Sequence, residues 1–438
     1  MERTPAGLTR GLRRWDLVAL VVNSIIGAGI FGLPATVFAR AGTYSLFAYV
    51  VSAAAIALVI VCFAEVGSRF KATGGPYLYA RETFGPLTGF QVGWLLWLGR
   101  IAGFAALVNL FVGYLDYFIP GIGHVLWRSA VIAAIIAALA AANVGGVRLS
   151  AAVTNILTIG KLIPLLLLII VGAFFIDPHR YSFDASPSYG SLSQAALLLV
   201  FTFMGFEGAS IPTGEMRDPA RHLPFALLTG MVVVTVVYVS VQAVCIGTLP
   251  DLARSPRPLA DAGLRFLGTP GASLIAVGAL VSISGTLNAL MFATPRLLFA
   301  MGENGQLPRL LCATHPRLRT PVPAILVTAA ITLALALSTT FISALTISTV
   351  VRLLAYTSTC AALPVLRRDP RSPRPSFMAP AGPLVSVVAV TLSVWLLSNS
   401  PASEMRVAGL AVLLGLVVYA IFGRGSRAPQ AAPAASGQ

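Results

Sequence analysis

The sequence predicts an all-α integral membrane protein with twelve transmembrane helices, organised as two five-helix repeats of opposite orientation followed by two further helices. Three observations predict this fold class. The chain of 438 residues is 57% hydrophobic and only 10% charged, whereas a soluble domain carries about 25% charged residues. The first and sixth predicted spans are each interrupted by a similar segment of glycines and a proline. The two interrupted spans are five spans apart. Because five is an odd number, the second repeat enters the membrane from the opposite side and has inverted topology.

The spans follow from hydropathy and from the residues that punctuate the loops. They are predicted at 16–39, 44–68, 87–118, 125–144, 150–176, 191–214, 224–249, 270–301, 322–338, 341–364, 381–398 and 405–423. A short amphipathic interfacial helix is expected within 73–85, because its apolar and basic residues recur at helical spacing.

This gives five parts of the chain. They are a cytoplasmic N-terminus (1–15), the first five-helix repeat (16–176), the second, inverted repeat (191–364), helices eleven and twelve (381–423) and a disordered cytoplasmic tail (424–438).

The net charge of +15 follows the predicted topology. Of the 30 Lys and Arg residues, 19 fall in segments predicted to be cytoplasmic, 7 in outer segments and 4 inside spans. Cytoplasmic loops of membrane proteins carry such an excess, so we expect both termini in the cytoplasm, with the chain crossing a bacterial-type plasma membrane. No nucleic-acid partner is expected. The four cysteines form no CxxC pair and show no ligand spacing, so neither a metal nor another cofactor is expected.

The first interruption is the segment 27–34, Gly-Ala-Gly-Ile-Phe-Gly-Leu-Pro. A spanning helix must satisfy its own backbone hydrogen bonds, so these residues predict a break whose free N–H and C=O groups line a cavity or bind a ligand. The segment also matches GxGxxG. A dinucleotide site needs a strand before this motif and an acidic residue about 20 positions on, whereas here lipid-compatible sequence flanks it on both sides and the next acidic residue is Glu65, which argues against dinucleotide binding. Close helix packing through small residues is the alternative; Pro34 and the second interruption, at 205–212, favour the break.

A break of this kind is suited to a zwitterion. The N–H groups of Ala28, Gly29 and Ile30 would open the second half-helix, at its positive dipole end, where a carboxylate binds. The carbonyl groups that end the preceding half-helices, around Ile25 in span one and at 201–204 in span six, would face a cation. An α-amino acid carries both charges on one carbon. The residues predicted to bind substrate from the two breaks are Ile25, Gly27, Ala28, Gly29, Ile30, Phe201, Phe203, Met204, Gly205 and Phe206. The three phenylalanines either gate the pocket or simply pack.

Two titratable residues inside spans are candidates for proton coupling. Glu207 lies in the second break, where a carboxylate binds a proton, stabilises the unwound backbone or is paired for structure alone. Lys161 lies in span five, where a desolvated amine exchanges protons near neutral pH. Its alternative is a lysine that extends to the interface.

Arg100, a buried charge within span three, needs a partner because arginine stays protonated. Glu65, Asp116 and Glu207 are the candidates, and structural pairing and a substrate role both stay open. Arg352 in span ten raises the same question.

Several motifs together resemble the amino acid–polyamine–organocation (APC) permeases, over nearly the whole length of the chain. They are Gly27–Phe31 with Pro34, Gly74–Tyr77, Phe203–Glu207 with Gly214–Pro224, and Arg296–Pro308. The resemblance implies a LeuT-like fold, a five-plus-five inverted repeat with broken helices 1 and 6, that moves amino acids or related amines by alternating access.

By the same resemblance, the substrate carboxylate would meet Ala28 and Gly29, and the amine would meet the carbonyl groups of Ile25, Phe201 and Met204. Ala28 stands where relatives often have serine, so one side-chain hydroxyl is missing.

Leu290 falls where some relatives place an aromatic pocket residue, and its aliphatic side chain argues against an arginine-type substrate. Lys161 resembles the fifth-helix lysine that proton-dependent members carry in place of a sodium ion.

The function expected is therefore a secondary active amino acid permease, with proton-coupled symport as the leading mode. The alternatives are an amino acid or amine exchanger (antiporter), and a transport-inactive amino acid sensor on the same fold. A membrane enzyme would need clustered His, Asp or Cys residues near one membrane face, and the four histidines are scattered over different loops. The partners expected are a small-molecule amino acid, protons and the lipid bilayer.

Overall fold

The computed structural model describes residues 14–27, 29–70, 75–145, 162–184, 186–207, 219–318 and 320–423. All regular elements within these ranges are helical. Seven helical stretches are long and apolar enough to cross a membrane, and four shorter apolar helices accompany them. The prediction of an all-α integral membrane protein is thereby confirmed. Ala28, Lys161 and the tail 424–438 lie outside the described residues.

The helices agree closely with the predicted spans wherever the two overlap. In chain order they are α1 (Arg14–Ile25), α2 (Gly29–Ala41), α3 (Ser45–Arg69), α4 (Gly75–Phe84), α5 (Pro86–Leu115), α6 (Val125–Gly145), α7 (Leu162–Phe175), α8 (Tyr189–Phe203), α9 (Pro219–Thr248), α10 (Pro258–Glu303), α11 (Val322–Ser338), α12 (Phe341–Arg368), α13 (Gly382–Ser398) and α14 (Ala402–Phe422).

Proline and glycine set several helix ends. Proline opens α5, α10, α11 and α13, where its missing N–H would have had no helical partner. Gly268 has φ of +65° and divides α10 into a short first segment and a long part that matches the predicted span 270–301.

The first predicted span is broken where the glycines indicated. Helix α1 ends at Ile25 and α2 begins at Gly29. In the sixth span, α8 ends at Phe203, and Met204 turns to an extended conformation with ψ of 158°. Gly205 follows with φ of +116°, a value that L residues rarely adopt.

The buried carboxylate of Glu65 ties the last turn of α3 to the end of α12. Its Oε1 accepts from Arg69 Nη2 at 3.0 Å and from Arg367 Nε at 2.8 Å. Its Oε2 accepts from Arg367 Nη2 at 2.6 Å and from the Ala379 N–H at 2.8 Å. Both oxygens are therefore occupied, and Glu65, a candidate partner of Arg100, is committed to other arginines.

Asp116, another candidate partner of Arg100, shapes a turn. Its Oδ1 accepts from the backbone N–H groups of Gly121 at 3.1 Å and Gly123 at 3.3 Å. Of the three candidates, only Glu207 remains.

The predicted short helix within 73–85 is present as α4, and it is held against the end of α10. The hydroxyl of Tyr77 donates to Gln306 Oε1 at 2.8 Å, and Arg81 Nη1 donates to Asn304 Oδ1 at 3.1 Å. Burial raises the pKa of the Tyr77 phenol, which therefore stays a donor. Two of the motifs that carried the resemblance thus contact each other.

Candidate functional site

The two breaks lie directly against each other. A Cβ atom on Gly205 would overlap the carbonyl oxygen of Ser24, the residue before the end of α1. A Cβ atom on Gly29 would lie 2.8 Å from Cγ2 of Thr202, near the end of α8. Because only glycine permits both approaches, the glycines bring the end of α8 into contact with both sides of the first break.

One tyrosine bonds to the backbone of both breaks. The hydroxyl of Tyr238, from the middle of α9, lies 3.0 Å from the Ile25 carbonyl and 3.1 Å from the Thr202 carbonyl. A phenol has a single proton, so the two carbonyl groups share one donor. Tyr238 is fully buried. The sequence reasoning missed it, because a lone tyrosine in an apolar helix carries no positional signal.

The predicted amine ligand Ile25 is already bonded. Its carbonyl oxygen accepts from the Gly27 N–H at 2.7 Å as well as from Tyr238. A substrate ammonium would bind there only by displacing one of these donors. The Phe201 carbonyl, for its part, accepts from the Met204 N–H at 3.1 Å.

The third side of the first break is provided by α10. The nearest atom to a Cβ atom on Gly27 would be Oγ1 of Thr286, at 3.7 Å. That hydroxyl donates to the Ser282 carbonyl at 3.0 Å, while the Ser282 hydroxyl itself is buried with no partner among the described residues. Leu290, one helical turn after Thr286, is partly buried.

The predicted aromatic residues are packed in the interior. Phe203 and Phe206 are fully buried, as is the aliphatic candidate Ile30, and Phe201 is 8% exposed. Phe203 packs on Tyr238 with ring centroids 5.3 Å apart. In this arrangement Phe203 and Phe206 pack on other rings, while Phe201 keeps a small accessible surface.

Phe206 belongs to a buried triangle of aromatic rings with Phe63 of α3 and Tyr356 of α12. The three centroid distances are 5.1, 5.3 and 5.3 Å. The triangle joins the second break to two other helices.

Glu207 is held by α12. Its Oε1 is paired with Nη2 of Arg352, and its Oε2 accepts from the Tyr356 hydroxyl at 2.6 Å and from the Gly205 N–H at 3.0 Å. The carboxylate is 2% exposed. It therefore fixes the unwound backbone after α8, which is one of the roles that the sequence left open. Arg352 has a defined role as its direct partner.

The stem of Arg352 lies across Gly99 of α5. A Cβ atom on Gly99 would be 2.5 Å from Cγ of Arg352, and the Ser348 hydroxyl donates to the Gly99 carbonyl at 2.6 Å. Helices α5 and α12 therefore approach closely, and they bring Arg100 toward the same cluster. Arg100 interacts electrostatically with Glu207, Arg352 and Tyr356.

These features define a class of protein. Interrupted helices that meet in the interior of an apolar helical bundle, with a buried charge cluster beside them, are typical of secondary transporters.

The comparisons with known proteins agree with this class. The model of the amino acid permease family matches residues 12–422. Three relatives from Bacillus subtilis (strain 168) are each 28% identical to this chain. They are a methylthioribose transporter (95% of this chain and 94% of the relative), the serine/threonine exchanger SteT (96% and 98%) and the branched-chain amino acid permease BcaP (95% and 94%).

The chain belongs to the amino acid permease family, within the APC superfamily. It is a multi-pass membrane transporter of that family, and its family and relatives are permeases and transporters rather than enzymes.

Proposed function

We propose that this permease binds the α-amino and α-carboxyl groups of an amino acid between the two breaks and moves it by alternating access. The observation that carries the proposal is the direct contact of the breaks, at Gly205 against Ser24 and at Gly29 against Thr202. Interrupted backbone is tolerated at membrane depth only inside protein or beside a cavity. Two interruptions in contact bring the peptide dipoles of several half-helix ends to one place.

The substrate carboxylate is assigned to the N-terminal end of α2, at Ala28, Gly29 and Ile30, where the helix dipole is positive. The amine is assigned to the ends of α1 and α8, at Ile25, Phe201 and Met204. Binding of the amine at Ile25 displaces the Tyr238 hydroxyl, which then donates to Thr202 alone. Leu290 borders the side-chain space.

The wider architecture is part of the same proposal. It comprises twelve spans, a five-plus-five inverted repeat, the five-part division of the chain given above, a plasma-membrane location and both termini in the cytoplasm. The interruption of the first and sixth predicted spans supports the repeat.

Proton symport is the proposed coupling mode, with Lys161 as the residue that exchanges the proton. Glu207, the other candidate, is bonded to Arg352, Tyr356 and the Gly205 N–H. We therefore assign it to the stabilisation of the second break. Obligatory exchange is the second candidate mode, and the name of the relative SteT, a serine/threonine exchanger, favours it.

Transport in proteoliposomes tests the function. A thermal-shift screen of the purified protein against the twenty amino acids first identifies a ligand, because binding to the native state raises the apparent stability. Uptake of that labelled amino acid is then measured in empty vesicles with an inward proton gradient, and in vesicles preloaded with the unlabelled compound.

Symport predicts accumulation in the empty vesicles that disappears when the gradient is collapsed, and Lys161→Ala removes it. Uptake only into preloaded vesicles establishes exchange. Binding without uptake in either preparation identifies a sensor, and binding of none of the twenty amino acids refutes the proposal.

The packing of the breaks is tested by Gly205→Ala. The added methyl group overlaps the Ser24 carbonyl and strains a φ of +116°, so we expect at least a tenfold loss of uptake. Gly113→Ala in α5 is the matched control, because no atom lies within 4 Å of its Cβ position. Equal uptake by the two variants would contradict the proposed site.

A further inference from the structure

Arg100 keeps some accessible surface although the helix around it is buried. It lies at the midpoint of α5, the most buried of the seven long helical stretches. Its neighbours along and around the helix, Trp97, Ile101, Gly103 and Phe104, are all buried, whereas Arg100 itself is partly exposed. Because its neighbours on the helix are buried, this accessible surface lies within the helical bundle rather than against lipid.

Arg100 lies close to the proposed substrate site. One turn further along α5, a Cβ atom on Gly103 would be 3.9 Å from the ring of Phe201, at the end of α8. On the other side, Arg100 interacts electrostatically with Glu207, just after the second break.

The charges of the cluster do not cancel within the described residues. Arg352 and Arg100 provide two positive charges, and Glu207 provides one negative charge. Glu207 is paired with Arg352, and in the part of the chain that the structure describes no carboxylate oxygen lies within 4.0 Å of the Arg100 guanidinium.

Glu207 is also poorly placed to serve a second cation. Its oxygens already accept from Arg352, from Tyr356 and from the Gly205 N–H. A cationic substrate side chain would have to share this single negative charge with Arg352 and Arg100, or lie unpaired near Arg100. In a site of low effective dielectric, repulsion between like charges is far stronger than in water.

We infer that Arg100 sets the substrate class of this permease: it excludes amino acids and amines with a cationic side chain, and it admits uncharged and acidic side chains. This inference rests on the proposed function, because it concerns the side-chain region of the same site. Arg100 is assigned the role of a specificity-determining residue, which acts on the charge of the substrate side chain.

The test compares pairs of amino acids of similar shape that differ in one charge. The pairs are lysine with norleucine, 2,4-diaminobutyrate with 2-aminobutyrate, and glutamate with glutamine. Both members of a pair carry the same α-amino and α-carboxyl groups, so the contribution of the helix ends cancels. Dissociation constants are measured by thermal shift or calorimetry on the full-length protein.

For the wild type we expect each neutral amino acid to bind at least tenfold more tightly than its cationic counterpart. Arg100→Gln should reduce this ratio at least tenfold, chiefly by improved binding of the cation, and should weaken glutamate relative to glutamine. Arg100→Lys keeps the charge and should keep the discrimination. Arg296→Gln, which removes a different arginine within a span, is the control and should leave the ratios unchanged.

Wild-type binding of lysine or diaminobutyrate within threefold of the neutral partner overturns the inference, as does an unchanged ratio in Arg100→Gln. If Arg100→Gln does not fold, the wild-type ratios decide. Failure of every amino acid to bind is a different result, since it refutes the proposed function itself.

Discussion

Two buried glutamates in this permease are bonded in nearly the same way, yet their surroundings differ. Glu65 and Glu207 are each paired with an arginine of α12, Arg367 and Arg352 respectively. Each also accepts a backbone N–H, from Ala379 and from Gly205.

The difference lies in the second arginine. Arg69 lies 3.0 Å from Glu65, and it also donates to the Leu366 carbonyl, the Ser372 hydroxyl and the Pro373 carbonyl. The guanidinium of Arg69 is therefore used in contacts that stabilise the fold. Arg100 interacts with Glu207 from a greater distance and keeps accessible surface. The same pairing thus gives a hydrogen-bonded structural cluster at the end of α12 and an unbalanced positive charge near its middle.

Glu65→Ala is expected to have the largest effect on stability of the changes at these two clusters. The change leaves Arg69 and Arg367 without their buried carboxylate, and removal of one partner from such a pair costs about 3–5 kcal/mol. We expect a marked fall in the thermal unfolding temperature of the detergent-purified protein. Glu303→Gln, at the exposed end of α10, is the control. An unfolding temperature equal to that of the control would show that the Glu65 cluster is not a structural joint.

Glu207→Gln is expected to reduce stability less and transport more. Glutamine keeps an oxygen that accepts from Gly205 or Tyr356, but it removes the charge that balances Arg352. We expect substrate uptake to fall at least tenfold while the protein still elutes as a folded monodisperse species in size-exclusion chromatography. Retained uptake would show that Glu207, like Glu65, only stabilises the fold and is not needed for transport.

Tyr356→Phe gives the smallest expected effect of the three changes at the two glutamate clusters. The variant keeps the aromatic triangle with Phe63 and Phe206. It loses the hydrogen bond that the hydroxyl donates to Glu207, worth about 1.5–3 kcal/mol because the acceptor is charged, and the weaker one that it accepts from Arg352 at 3.2 Å. Thermal unfolding measures the loss, and Tyr77→Phe, which removes a neutral hydrogen bond to Gln306, should cost about 0.5–1.5 kcal/mol. A loss in Tyr77→Phe that exceeded the loss in Tyr356→Phe would reverse the assigned order.

Much of this arrangement was accessible from the sequence. Apolar runs and loop residues located the helices, and the glycines at 27, 29 and 205 located the breaks, because glycine and proline report on the backbone directly. Glu207 stood out because a carboxylate at membrane depth is costly. The sequence could not select its partner: Arg352 and Arg100 were both isolated basic residues in apolar helices.

Tyr238 shows most clearly what the sequence could not predict. Its importance comes from where its hydroxyl lies, between two carbonyl groups on different helices. That position depends on which faces of α1, α8 and α9 meet, and no single helix carries this information. Glu65 was also considered as a partner of Arg100, which the structure does not support. Its actual partners, Arg367 and Ala379, reach it only because of the path that the chain takes at the end of α12 and after it, and the sequence does not reveal this path.

The contact between Gly205 and Ser24 also has a mechanical consequence. Two backbones in direct contact have no intervening side chains whose small conformational changes could accommodate a shift between them. We therefore expect the interrupted helices to move as one rigid body when the transporter changes between its outward-open and inward-open states. The interfaces that shift during this change should lie elsewhere, where side chains separate the helices.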